Sequence, residues 1–306
     1  TMEANPGTIT ADNLTRIVEV GINRISLGMQ SAHPDELALL ERRHNFFDVV
    51  NAVEWARAAG INNLNLDLIF GLPGQEVDVW MASLDAAISL KPEHLSLYAL
   101  SLEHGTPLQH KVEGGTLVEP DADLAADMYE ASRERLRKEG YTHYEISNWA
   151  REEAGEKNYA CKHNLQYWRT LPYIGVGAGA HGFCNQYRTV NVAHPAAYIK
   201  KFRDYSKLLV IKSKYPSTPA TIQANLIDQN TEIGEMMMMG LRLVQEGISN
   251  QEFMQRFGLS LQEIFGKQID RLIGFGLLEW YRTINDNLRL TGRGQLLGNQ
   301  VFSAFI

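Results

Sequence analysis

The stretch Asn63-Leu64-Asn65-Leu66-Asp67-Leu68-Ile69-Phe70-Gly71-Leu72-Pro73-Gly74 sets the reading of the first half of the chain. A short Leu/Ile run over 63–70 stops at a Gly-Leu-Pro-Gly turn, and an amphipathic pattern over 76–90 follows. The turn lacks the lysine of a phosphate loop, so it reads as a strand-to-helix connection. The unit repeats. Strands are predicted at 24–29, 63–70, 94–100 and 142–147, with the residues before Glu3 ending another, and helices at 11–20, 46–59, 76–90 and 122–138. Asp12, Asp48 and Asp123 sit near helix starts, and Gly21, Gly60 and Gly140 follow helix ends, as capping requires. Five strands alternating with helices predict an α/β fold, a partial TIM-like (β/α) barrel lacking its first unit. Its chemistry should gather at the C-terminal strand ends.

Beyond the barrel, expected over 1–149, residues 150–219 read as a loop-rich, aromatic extension with one helix at 195–205. From 220 to 306 the pattern changes to helices at 232–243, 250–257 and 260–273 followed by strands at 277–281 and 287–290 around the turn Asn285-Asp286-Asn287. That order predicts a winged-helix-like α+β domain. This segment carries seven Lys/Arg against nine Asp/Glu, a net of −2, and the whole chain carries −7. Phosphate neutralisation needs the opposite sign, so no nucleic-acid partner is expected. At 306 residues and 44% hydrophobic the chain can bury a large core, and no apolar run approaches the roughly 20 residues of a membrane span. Two distant cysteines, Cys161 and Cys184, suit a reducing compartment, which makes a cytoplasmic location the expectation.

Four polar residues fall at or just beyond predicted strand ends: Glu3, Gln30, Arg42 and Asp67. Singly each has a plain explanation as a cap, a backbone partner or a solvated surface residue. Together they offer carboxylates, an amide and a guanidinium, which match the hydroxyls, ammonium and carboxylate of a nucleoside joined to an amino acid. Farther on, Tyr159–Trp168 and Ile174–Phe183 combine an imidazole, an amide, several aromatics and a glycine-rich turn. Imidazole is a common axial ligand of haem iron, and flat aromatic surface suits a macrocycle. Gly175-x-Gly177-x-Gly179 opens no evident helix, so it does not read as a dinucleotide site, and Met236–Met239 reads as core packing.

The run His163-Asn164-x-x-Tyr167-Trp168 resembles the HNxxYW signature of the haem chaperones related to oxygen-independent coproporphyrinogen III oxidase, a branch of the radical S-adenosylmethionine (SAM) proteins. The resemblance extends through Met2–Pro6, which is similar to the family's E-x-N-P; Arg24–Ser31, similar to R-x-S-x-G-x-Q-S; and Asn65–Pro73, similar to N-x-D-x-I-x-G-L-P. It implies a radical SAM barrel in which Glu3, Gln30, Arg42 and Asp67 contact SAM, with Arg43 leaving a one-residue ambiguity. It also implies haem held by His163 as iron ligand with Tyr167 and Trp168, and His181 as a weaker second contact. A [4Fe–4S] cluster is implied for the complete polypeptide, but the three-cysteine loop that would hold it is not in this sequence, which is therefore expected to be a fragment. The expected function is delivery of haem to acceptor haem proteins. The resemblance makes those acceptors membrane-associated and so implies peripheral contact with the membrane. Oxidative decarboxylation of coproporphyrinogen is the alternative, which leaves open whether the chain is an enzyme. A non-catalytic protein-interaction scaffold is the third reading, distinguished by binding neither haem nor SAM.

Overall fold

Leu64, Leu66, Leu68 and Phe70 are buried along one side of the strand Leu64–Phe70, while Asn65 and Asp67 alternate onto the other. This period of two, with both faces covered, is what a parallel strand inside a barrel wall demands. The computed structural model describes residues 1–153, 157–205, 216–281 and 286–306. The chain divides into two compact units, Thr1–Ala160 and Cys161–Ile306. The loop-rich extension read from the sequence thus gives its first residues to the former and its remainder to the latter.

In the first unit, Met2–Ala4, Ile25–Gln30, Leu64–Phe70 and His94–Ala99 pair in parallel, in that order. The helices Ala11–Glu19, Phe46–Ala58, Val77–Ser89 and Ala122–Lys138 lie close to their expected bounds. Their actual caps are Thr10, Asn45 and Asp121, with Asn13 and Asp48 completing capping boxes. Gly21, Gly60 and Gly140 take φ of +93°, +91° and +80° past the helix ends, as expected. Short helices at Pro34–Leu39 and Pro107–Glu113 were not legible in the periodicity.

One feature of the wall departs from the sequence reading. Tyr141–Glu145 does not join His94–Ala99. The chain turns at Ile146-Ser147, and Asn148–Glu153 inserts antiparallel between them, so the sheet ends in a hairpin. Trp149 drives this insertion. Its indole is 1% exposed, stacks on the His143 ring at 4.2 Å and meets Tyr129 edge-on at 5.9 Å.

In the second unit, His181–Cys184, Tyr187–Asn191 and Thr221–Leu226 form a three-stranded antiparallel sheet that runs across the boundary expected at 219/220 and lies partly in the expected loop-rich extension. The expected helix Pro195–Tyr205 is present. Next come Gln229–Gly240, Ile248–Ser249, Asn250–Phe257, Leu261–Gly274, Leu278–Tyr281 and Asn287–Leu290. The last sheet has Asn287–Leu290 central between Ile248–Ser249 and Leu278–Tyr281. This is winged-helix topology. Asn285, in the predicted wing turn, lies outside the described residues. Among the described residues no helix is long and apolar enough to cross a membrane.

Trp149→Ala should cost about 3–5 kcal/mol, the range for emptying a large buried aromatic site. Urea unfolding followed by circular dichroism checks this; a loss under 1 kcal/mol would remove Trp149 as the anchor of the hairpin.

Candidate functional site

The inward face of the barrel wall carries polar rows set by strand register. Glu3, Ser26, Asn65 and His94 stand in one row, and Asp67, Ser96 and Asn148 in the next. Asn65 joins them. Its Nδ2 donates to Asp67 Oδ1 at 2.8 Å and to Ser26 Oγ at 2.7 Å, and the Ser26 hydroxyl donates to Asp67 Oδ2 at 2.7 Å. Because an ionised carboxylate only accepts, the Asn65 amide nitrogen faces Asp67 and its oxygen faces His94. His94 Nδ1 lies 2.6 Å from that oxygen and Nε2 lies 2.8 Å from the Tyr144 hydroxyl. The proton therefore sits on Nδ1, and Tyr144 donates to Nε2.

Burial sets the charges. Desolvation raises the Asp67 carboxyl, against the hydrogen bonds of Ser26, Ser96 and Asn65, and the Glu3 charge adds to the rise. His94 is fully buried and held well below the usual imidazole value by desolvation and by the Arg24 guanidinium. Tyr98 is pushed up to about 12 by burial and by the charges of Asp67 and Glu145.

Glu3 and Asp67 stand on this face, Gln30 ends the strand between theirs, and Arg42 lies on the segment after the helix Pro34–Leu39. Glu3 is exposed and acts electrostatically on Asp67. Gln30 closes its strand at φ +66° and is 8% exposed. Its amide folds back over Gly28, where an added Cβ would lie 2.8 Å from Gln30 Nε2 and 3.7 Å from Asn5 Oδ1. Arg42 Nη1 reaches the same Asn5 Oδ1 at 3.4 Å. The space at Gly28 that a side chain would fill has the Gln30 amide against it and Arg42 linked to it through Asn5; with the Glu3 and Asp67 carboxylates of the wall, these groups fit the chemistry of the SAM nucleoside and its methionine tail. The chain's two cysteines do not fit a [4Fe–4S] cluster, which needs three thiolates from one loop. Sequence reasoning missed Ser26, Asn65, His94, Ser96, Tyr98 and Asn148, although alternation within 63–70 already placed Asn65 on the face of Asp67.

In the second unit, Lys162–Trp168 is a helix, not the loop expected. It exposes His163 in its first turn, and Tyr167 one turn on meets the imidazole edge-on at 4.7 Å. Tyr173 meets Tyr167 at 4.5 Å, and its backbone bridges Phe183. Trp168 lies 5.2 Å beneath the Arg242 guanidinium, which also covers Phe302 at 4.7 Å. The indole Nε1 is buried without a hydrogen-bond partner among the described residues. His181 is exposed and, by strand alternation, shares the face of Phe183; its carbonyl packs where a Gly175 side chain would be. In the methionine run only Met237 is core, whereas Met238 and Met239 line a cavity beside Tyr167, so core packing accounts for only part of it.

The radical SAM superfamily model matches residues 1–87, and the HemN C-terminal domain model matches 227–297. The solved coproporphyrinogen III oxidase (HemN) from Escherichia coli superposes with a TM-score of 0.75 over 99% of this chain and 68% of its own, at 19% identity. That likeness is one of fold. Heme chaperone HemW of Bacillus subtilis is 36% identical over 305 residues, covering 100% of this chain and 75% of its own. Heme chaperone HemW of Lactococcus lactis is 33% identical over 308 residues, with the same coverages. The first unit is thus a partial radical SAM barrel. The chain belongs to the HemW family.

His94 and His143 make stability pH-dependent in the first unit. Burial lowers His94 well below 6.5 and takes His143 from 6.5 to about 4, so both favour the neutral ring when folded. Their contribution is fully present above about 6.5 and lost as pH falls toward those depressed values. The urea midpoint should fall on acidification from pH 7 to 4.5, less steeply in His143→Phe. An unchanged midpoint over that range, or identical profiles, would show ordinary titration.

Proposed function

We propose that this chain is a haem chaperone: it binds haem as cargo at the helix Lys162–Trp168 and passes it to acceptor haem proteins, and it holds SAM at the strand ends of the barrel. The observation that carries the haem reading is the exposed His163 imidazole backed by the Tyr167–Tyr173 aromatic pair. An accessible neutral imidazole supplies a ligand to iron, and the adjoining ring faces supply apolar surface. Trp168 borders the same helix and ties it to Arg242, so it contributes both apolar contact and a fixed helix orientation. His181 stands as a weaker second contact. The HemW name of relatives covering the whole chain supports the assignment.

In the barrel, Glu3 and Asp67 would take the nucleoside hydroxyls and ammonium, Gln30 would present its amide across Gly28, and Arg42 would pair with the methionine carboxylate. Bound SAM would supply a sulfonium centre whose carbon–sulfur bond is open to reductive cleavage. The residues here bind, orient and desolvate. We further place the chain in the cytoplasm, with peripheral contact at the membrane where its acceptors reside.

His163→Ala should weaken haem binding about tenfold or shift the Soret band, with unchanged far-UV circular dichroism. Wild-type affinity and spectrum in that variant would overturn the ligand assignment, and the same result in His181→Ala as well would remove the chemical basis of the haem reading. Asp67→Ala should weaken S-adenosylhomocysteine binding in calorimetry by about tenfold while leaving the Soret titration unchanged, since a lost charge-assisted contact is worth about 1.5–3 kcal/mol. Equal nucleoside binding in parent and variant would remove Asp67 from the site.

A further inference from the structure

A cavity of about 210 Å³ opens beside the His163 helix, walled by Tyr167, Tyr173, Phe183, Met238 and Met239; its charged lining is Arg188, Glu235 and Glu232, the last of these paired with Arg256. It is below the roughly 300–1,000 Å³ of sites that enclose a drug-sized ligand, so a macrocycle could place only an edge there. Tyr167 belongs both to this wall and to the His163 ring contact, which sets the cavity next to the proposed iron ligand. Among the described residues Arg188 spends one nitrogen, Nη2, on Glu235 Oε2 at 2.7 Å, in a pair whose side chains are 39% and 24% exposed. A guanidinium has five donors, and a partly exposed pair of this kind exchanges partners at little cost. Burial, with Tyr167 adding, raises the Tyr173 phenol, so it remains a protonated donor in the same wall.

We propose that this cavity seats a carboxylate-bearing edge of the tetrapyrrole, with Arg188 binding the propionate and Glu235 acting as the counter-ion it displaces. The inference rests on the haem reading above and assigns residues outside the HNxxYW run. Apolar walls take the pyrrole rim and the methionines adapt to it, while the bidentate guanidinium selects the free acid. Glu235 keeps Arg188 paired when no cargo is bound.

The test compares haem with its dimethyl ester, titrated into the full chain and followed at the Soret band. The parent should prefer haem by about tenfold or more, the scale of one charge-assisted contact. Arg188→Gln should lose that preference by weakening haem alone, and Glu235→Gln should tighten haem about threefold or more. No discrimination in the parent, or an equal loss for both ligands in Arg188→Gln, would overturn the carboxylate assignment. A Glu235→Gln variant that weakens haem would overturn the displacement. If the parent spectrum depends on His163 but not on esterification, only the cavity assignment fails; if neither ligand gives a His163-dependent spectrum, the haem reading fails first.

Discussion

Asn65 is the residue through which the barrel's interior is wired. A parallel wall whose outer side is leucine and isoleucine must still satisfy every polar group turned inward, and water is scarce there. One amide does this by pointing its nitrogen at Ser26 and Asp67 and its oxygen at His94 and Ser96, thereby linking three strands through side chains as well as through the backbone ladder. The tautomer of His94 and the hydroxyl direction of Tyr144 then follow. With its neighbours fixed in this way, Asp67 presents a carboxylate whose orientation is set before any ligand arrives, which lowers the ordering cost of binding.

The second unit solves a different problem with different means. Its exposed imidazole sits on a seven-residue helix that would be marginal alone. Tertiary contacts hold it: Trp168 under Arg242, Arg169 in a bidentate pair with Glu246 at 2.8 and 2.9 Å, and Gln166 Nε2 donating to the Pro172 carbonyl at 2.6 Å. The short helix is therefore fixed at its C-terminal turn and open at its N-terminal one, where His163 lies. A site that must accept cargo and surrender it needs that asymmetry, because a ligand gripped from all sides leaves slowly.

Much of this was legible in the sequence, for identifiable reasons. Strands at 63–70 and 94–100 announced themselves because a wall with an apolar outer side and a polar inner one selects alternation, and helix ends because glycine past a helix relieves strain that other residues carry. Strand-end reasoning also singled out Glu3, Gln30 and Asp67, which lie on adjacent strands of the wall. What escaped was set by contacts between distant residues. Asn148–Glu153 alternates for only a few positions and owes its place to Trp149 finding His143 and Tyr129. The sheet of His181–Cys184, Tyr187–Asn191 and Thr221–Leu226 has mostly exposed or half-buried side chains, so no hydrophobic period marks it. Arg188 and Glu235 lie 47 residues apart, and no local pattern couples them.

The left-handed backbone at Gln30 carries a consequence for how such a chain can vary. A non-glycine residue at φ +66° is strained by about 1–2 kcal/mol, and its amide has room only because position 28 has no side chain. Strain at one position and emptiness at another are thus halves of one character. A lineage that fills position 28 displaces the amide and leaves the strain with no function to justify it, so the cheaper descendant relaxes both positions at once. Their joint loss would be the mark, in sequence alone, of a barrel that no longer needs an amide held over position 28.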